Sequence, residues 1–120
     1  MAGRMEQLAA LLLNAFEFGS RAHWATRSYA KHMALGDFYE ALPGFVDELV
    51  ETYQGEDQAL LKIPQLPLDM GADPEDFIRA NLELIRAERA NFDALPEFQN
   101  LIDTIVSHYQ RTLYKLRFLG

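Results

Sequence analysis

The chain has 120 residues, of which 49% are apolar and 24% charged, with a formal net charge of −7 and no cysteine. This length and balance predict one globular domain over residues 1–120 and exclude a disordered chain. The negative charge disfavours DNA as a partner, because nucleic-acid binding depends on clustered Lys and Arg. The missing cysteines exclude disulfides, thiolate metal sites and cysteine nucleophiles.

Nothing in the sequence predicts a membrane span or a secretory signal. No apolar run reaches the length of about 18 residues that a span requires, and the N-terminus has no basic stretch followed by an apolar core. We therefore expect no membrane contact and a cytoplasmic location.

Residues 3–28 are predicted to form the first helix, in which apolar residues recur at intervals of three and four and His23 continues the buried stripe. A helix continuous through His32 would put the two histidines on opposite faces. We therefore predict a turn around Arg27–Ala30, followed by a second helix from about Lys31 to Gln54. A boundary at Gly36-Asp37 is the alternative, and the sequence leaves both open.

The second helix carries Asp47 and Glu51, which are four residues apart and so lie on one face. Pro43 and Gly44 predict a kink in this helix, and Gly55 is expected to end it.

Residues 56–72 contain Pro64 and Pro67 and predict a crossover that packs along the bundle. Asp73-Pro74 predicts the start of a third helix that reaches Phe92, and Leu95-Pro96 the start of the last helix. Four amphipathic helices without a strand pattern predict an all-α four-helix bundle, with a long proline-containing crossover between helices 2 and 3.

Four residues are candidate metal ligands: His23, His32, Asp47 and Glu51. Imidazole and carboxylate form a mixed nitrogen and oxygen set suited to Fe(II), Zn(II) or Mn(II). His32 and Asp47 lie about 60° apart around one helix axis, and Asp47 and Glu51 stack one turn apart. The alternative interpretation is a core histidine at a helix end and acids on a solvated face. Glu40 has the same two interpretations, as an auxiliary ligand or as a surface acid.

The stretch from His23 to Gly55 resembles the starvation-induced DNA-protection family (Dps), the ferritin-like mini-ferritins. The resemblance lies in His23-Trp24, Tyr29, His32, Phe38-Tyr39-Glu40 and the acidic run Val46 to Glu51, followed by Gly55. It implies a ferritin-like bundle in which the histidines of one subunit and Asp47 and Glu51 of its two-fold mate bind iron. It also implies that these residues catalyse Fe(II) oxidation, with peroxide or O2, in a homo-oligomer that forms a hollow sphere and acts in oxidative stress. Trp24 would then be a redox-active neighbour of the iron, besides its ordinary interpretation as a core or interface residue.

Several features depart from that family. The interval between the histidines is a few residues shorter, a proline-broken segment replaces a short helix after the second helix, and the lysine-rich tail is absent. Small chains of this kind also resemble uncharacterised ferritin-like proteins encoded by bacteriophages. The alternative function is a non-enzymatic helical oligomerisation or interaction module that has lost ferroxidase activity. His108 has no acid at the ExxH spacing of ordinary ferritins, which favours a structural role.

Overall fold

A computed structural model describes residues 2–120, and all regular structure in this range is helical. The four α-helices are α1 (Ala2–Ala25), α2 (Tyr29–Asp57), α3 (Pro74–Glu88) and α4 (Pro96–Phe118), and a 3-10 helix at Arg89–Phe92 follows α3. The all-α prediction and the long crossover between helices 2 and 3 are therefore confirmed. Within residues 2–120, no helix is both long enough and apolar enough to cross a membrane.

The helices form a ring in the order α1, α2, α4, α3, since α1 and α4 each pack against both α2 and α3. The side chains that meet at the centre are fully buried leucines, isoleucines and aromatics. Burial of each such side chain contributes roughly 1.5–3 kcal/mol. The largest of them are Tyr109, Phe18, Phe38, Phe92, Phe98 and Met5.

The ends of α2 and α3 show which of the predicted helix-capping residues cap a helix in the structure. Asp73 caps α3, because its carboxylate accepts the backbone N–H of Asp76 at 3.2 Å. The prediction that Gly55 ends the second helix is wrong: α2 continues to Asp57, and Gln58 adopts the left-handed conformation with φ 55°. Its backbone N–H closes the last turn on the carbonyl of Gln54, so a non-glycine residue serves as the cap.

Pro43 lies inside α2, and the helix is continuous on both sides of it. Pro43 and Gly44 are both exposed. At such a position water can satisfy the carbonyl that the missing proline N–H leaves unpaired.

The crossover runs along α1 without regular structure of its own. The backbone N–H of Lys62 donates to Glu6, and the Asn14 amide donates to the carbonyl of Pro67 at 3.0 Å. Leu61 and Leu66 pack against the core. These contacts return the chain to the end of the bundle from which α2 began, so that α3 runs antiparallel to α1.

One polar network crosses the core. The Tyr109 hydroxyl donates to Asn81 Oδ1 at 2.6 Å, and Asn81 Nδ2 donates to the carbonyl of Leu11 at 3.3 Å. Both side chains are buried, and burial raises the pKa of Tyr109 well above its usual value. The network therefore links α1, α3 and α4 through groups that have no access to water.

Candidate metal site

A three-residue turn, Thr26 to Ser28, brings His23 and His32 together. The Ser28 hydroxyl accepts the backbone N–H of Lys31 at 3.2 Å and so caps α2, and the Thr26 hydroxyl accepts the N–H of Ser28. The turn overlaps the predicted position at Arg27–Ala30, and the alternative boundary at Gly36-Asp37 lies inside an unbroken helix.

The two histidines are held by reciprocal hydrogen bonds across this turn. His23 Nδ1 lies 2.5 Å from the carbonyl oxygen of His32, and His32 Nδ1 lies 2.8 Å from the carbonyl oxygen of His23. A carbonyl oxygen can only accept, so each Nδ1 carries the proton and donates it. Each Nε2 is then left with a lone pair directed away from these bonds, the arrangement that metal-binding histidines adopt in proteins.

The imidazole rings stack face to face, with centroids 3.6 Å apart and planes 17° apart. Gly36 makes room for this pair, because a Cβ there would lie 3.0 Å from His23 Cε1. Tyr39 closes the edge of His23, with ring centroids 5.4 Å apart. The glycine that suggested a helix boundary in the sequence therefore serves to admit an aromatic ring.

Stacking limits what the pair can bind. A metal ion lies near the plane of each imidazole that ligates it. Two nearly parallel planes separated by a stacking distance meet only far from both rings. One ring can therefore offer its Nε2 to an ion as it stands, whereas both can share one ion only if a ring tilts out of the stack.

Asp47 and Glu51 lie on the exposed side of α2, one turn apart. Asp47 is fifteen residues beyond His32, which corresponds to about 22 Å along the helix at 1.5 Å per residue. No group of three or more His, Asp or Glu side chains in residues 2–120 is close enough to bind one ion. The four predicted ligands thus form two separate pairs within one chain, and a site containing all four would need a second subunit.

Basic and acidic side chains are separated along the sequence, from the end of α1 through α2. Residues 18–36 contain Arg21, Arg27 and Lys31 and no acid, whereas residues 37–57 contain seven acids and no Lys or Arg. The exposed stripe of α2 runs through both halves, at spacings of three and four, and consists of Met33, Asp37, Glu40, Gly44, Asp47 and Glu51. Glu40 is therefore a surface acid of the single chain, midway between the two pairs.

Two other aromatic residues singled out in the sequence have clear positions. Trp24 is 71% exposed, so its interpretation as a core residue is wrong, and only an interface would cover it. His108 donates from Nε2 to the carbonyl of Phe38 at 2.9 Å and stacks on the Phe38 ring. Burial lowers the pKa of His108, the hydrogen bond to Phe38 opposes this, and Lys115 and Arg111 lower the pKa further. His108 accordingly joins α4 to α2.

Comparison with known proteins gives a family and one related protein. The chain belongs to a family of unknown function, DUF5856, whose model matches residues 23–116. It is similar to an uncharacterized 14.6 kDa protein in the mobD-ri intergenic region of Enterobacteria phage T4, with 26% identity over 114 residues, covering 94% of this chain and 88% of that protein. No solved structure matches.

Proposed function

We propose that two copies of the chain pair antiparallel along α2 and that the pair binds and oxidises Fe(II) at two symmetric sites. Each site would combine His23 and His32 of one subunit, one ring tilting out of the stack on binding, with Asp47 and Glu51 of the other. The observation that carries this proposal is that His32 and the exposed carboxylate pair are about 22 Å apart along α2, so that only a second copy can bring imidazoles and carboxylates together.

The position of the two-fold axis follows from the residue numbers. In an antiparallel pair, residues that face each other are equally far from the axis. His32 facing Asp47 puts the axis between Tyr39 and Glu40, and His32 facing Glu51 puts it between Ala41 and Leu42. The same pairing sets residues 29–36 of one α2, which contain no acid, against the acidic segment 37–57 of the other, so that this part of the interface avoids like-charge repulsion.

The ligand set suits the proposed substrate. Two imidazole nitrogens and two carboxylates bind Fe(II), Zn(II) and Mn(II), and the carboxylates also retain the harder Fe(III) product. In the oxidation, two Fe(II) ions each lose one electron, and one hydrogen peroxide accepts both electrons with two protons to give two water molecules. The exposed carboxylates are accessible to an ion from solvent. We propose that the protein is cytoplasmic and binds dissolved Fe(II) there.

An anaerobic titration with Fe(II), followed by addition of peroxide, tests this function through the ferric absorbance that develops. The quantity compared is the rate above that of Fe(II) and peroxide without protein. We expect His32→Ala and Asp47→Ala, each alone, to reduce this rate to zero, and Glu83→Ala, an exposed acid on α3, to leave it unchanged. A wild-type rate no higher than that of the protein-free sample would refute the proposal.

The stacked histidines also favour a second function, a helical interaction module without ferroxidase activity. In this alternative the imidazoles serve only to join α1 to α2, since both Nδ1 atoms and one face of each ring are already used. Thermal melts separate the two functions, because a ligand that binds only the native state raises the melting midpoint. The module predicts no shift with Fe(II), Zn(II) or Mn(II).

A further inference from the structure

A groove of about 490 Å³ lies between the end of α1, the first turn of α2 and the last residues of the crossover. This volume is within the roughly 300–1,000 Å³ of small-molecule sites. Phe18, Ala22, Met70 and Pro74 provide its apolar lining. Phe18 is itself fixed from below, because its ring stacks on Phe77 with centroids 3.9 Å apart.

The polar side chains that line the groove are two cations and a hydroxyl, from Arg21, Lys31 and Thr26, and no carboxylate lines it. Lys31 makes no ion pair or side-chain hydrogen bond with any described residue. Arg21 donates from Nε to Glu17 at 2.6 Å, which leaves its two terminal nitrogens free to donate. In a chain of net charge −7, two cations with unused donors above an apolar surface select an anionic ligand with an apolar body.

We propose that this groove binds a small aliphatic monocarboxylate. The hydrocarbon chain would cover Ala22 and Met70 above the buried Phe18 ring, and the carboxylate would lie between Arg21 and Lys31. Inorganic anions would leave the apolar lining in contact with water, and neutral apolar molecules would leave the two cations without a partner. The groove contains none of the four candidate metal ligands.

Isothermal titration of the full chain with sodium octanoate tests the proposal, with 1-octanol as the neutral ligand of the same chain length. We expect saturable binding of octanoate and binding of octanol weaker by about tenfold or more, the effect of losing one charge-assisted hydrogen bond. The double variant Arg21→Gln/Lys31→Gln should weaken octanoate binding by about tenfold or more on the same grounds.

The matched control is Arg27→Gln/Lys62→Gln, which makes the same change in net charge with two cations outside the groove. This control should bind octanoate as the wild type does. A second variant, Ala22→Leu, fills the apolar part and should lose octanoate binding while a circular dichroism melt shows the fold retained. Absence of saturable binding, equal binding of octanol, or equal losses in the two double variants would overturn the proposal.

Discussion

Substitution of Gly36 by alanine should break the histidine pair on which the turn depends. The added Cβ would lie 3.0 Å from His23 Cε1 and 3.2 Å from His23 Nδ1. The ring cannot retreat without cost, because His32 stacks on one face and its carbonyl binds Nδ1. We expect the imidazole to leave its position.

The change in the free energy of unfolding is the difference between the interactions of the His23 ring that are lost and the helix propensity that alanine gains. Displacing the His23 ring removes its hydrogen bond to the carbonyl of His32, which contributes about 1 kcal/mol, and the ring stack, which contributes about 1 kcal/mol more. Alanine in a helix interior returns about 1 kcal/mol relative to glycine. The free energy of unfolding should therefore fall by about 1 kcal/mol, which lowers the melting midpoint by about 4 °C for a domain of this size.

The control is Gly44→Ala in the same helix. A Cβ at Gly44 meets no atom within 4 Å, so only the helix propensity changes. The free energy of unfolding should rise by about 1 kcal/mol. Urea unfolding followed by circular dichroism, at one protein concentration for all variants, measures both changes. If Gly36→Ala is as stable as Gly44→Ala, the histidine pair is not a rigid element and the reasoning fails.

Three further outcomes follow from the structure. Tyr109→Phe should lower the free energy of unfolding by about 1–3 kcal/mol, because buried Asn81 Oδ1 loses its donor; addition of Asn81→Leu should recover part of the loss in the same urea assay. Burial lowers the pKa of His108 below its usual 6.5, so between the two pKa values the unfolded chain binds more protons than the native chain. Stability should therefore fall as the pH drops from about 6.5 through the native pKa, and His108→Gln should flatten this part of the pH profile of the melting midpoint. Glu40→Gln removes two like charges near the proposed two-fold axis, so sedimentation equilibrium should give a dimer dissociation constant lower by about two- to fivefold; a weaker dimer would contradict the placement of the axis.

The fold was predictable from the sequence because its helix signals are local. Asp73-Pro74 acts as a cap and first residue in the folded chain, and the spacing of apolar residues in α4 reproduces its buried side. The prediction for Gly55 failed because a glycine can end a helix without being required to, and Gln58 provides the left-handed residue instead.

The candidate site was predictable only in part. The turn between His23 and His32 follows from a geometric argument, since a continuous helix would separate the rings. Ring stacking and the reciprocal hydrogen bonds depend on the angle between α1 and α2, which residue spacing does not give. Gly36 was the available signal: a small residue four positions after His32 can admit a ring from the neighbouring helix, as it does for His23.

The exposure of Trp24 was not predictable for a related reason. A large apolar residue next to a buried stripe is usually covered, but Trp24 lies one residue beyond His23, about 100° further around α1, and is exposed. Burial of Trp24 by a second subunit would depend on contacts between two chains, and residue spacing within one chain does not predict such contacts.

Subunit complementation tests the central claim most directly. One variant, His23→Ala/His32→Ala, lacks both imidazoles, and the other, Asp47→Ala/Glu51→Ala, lacks both carboxylates. In an antiparallel pair neither homodimer retains a complete site, whereas a mixed dimer retains one complete site of two. After unfolding and refolding together, the equimolar mixture should bind and oxidise Fe(II) at about a quarter of the wild-type sites, while each variant alone oxidises Fe(II) no faster than a protein-free sample. A mixture as inactive as its components would contradict a site shared between two subunits.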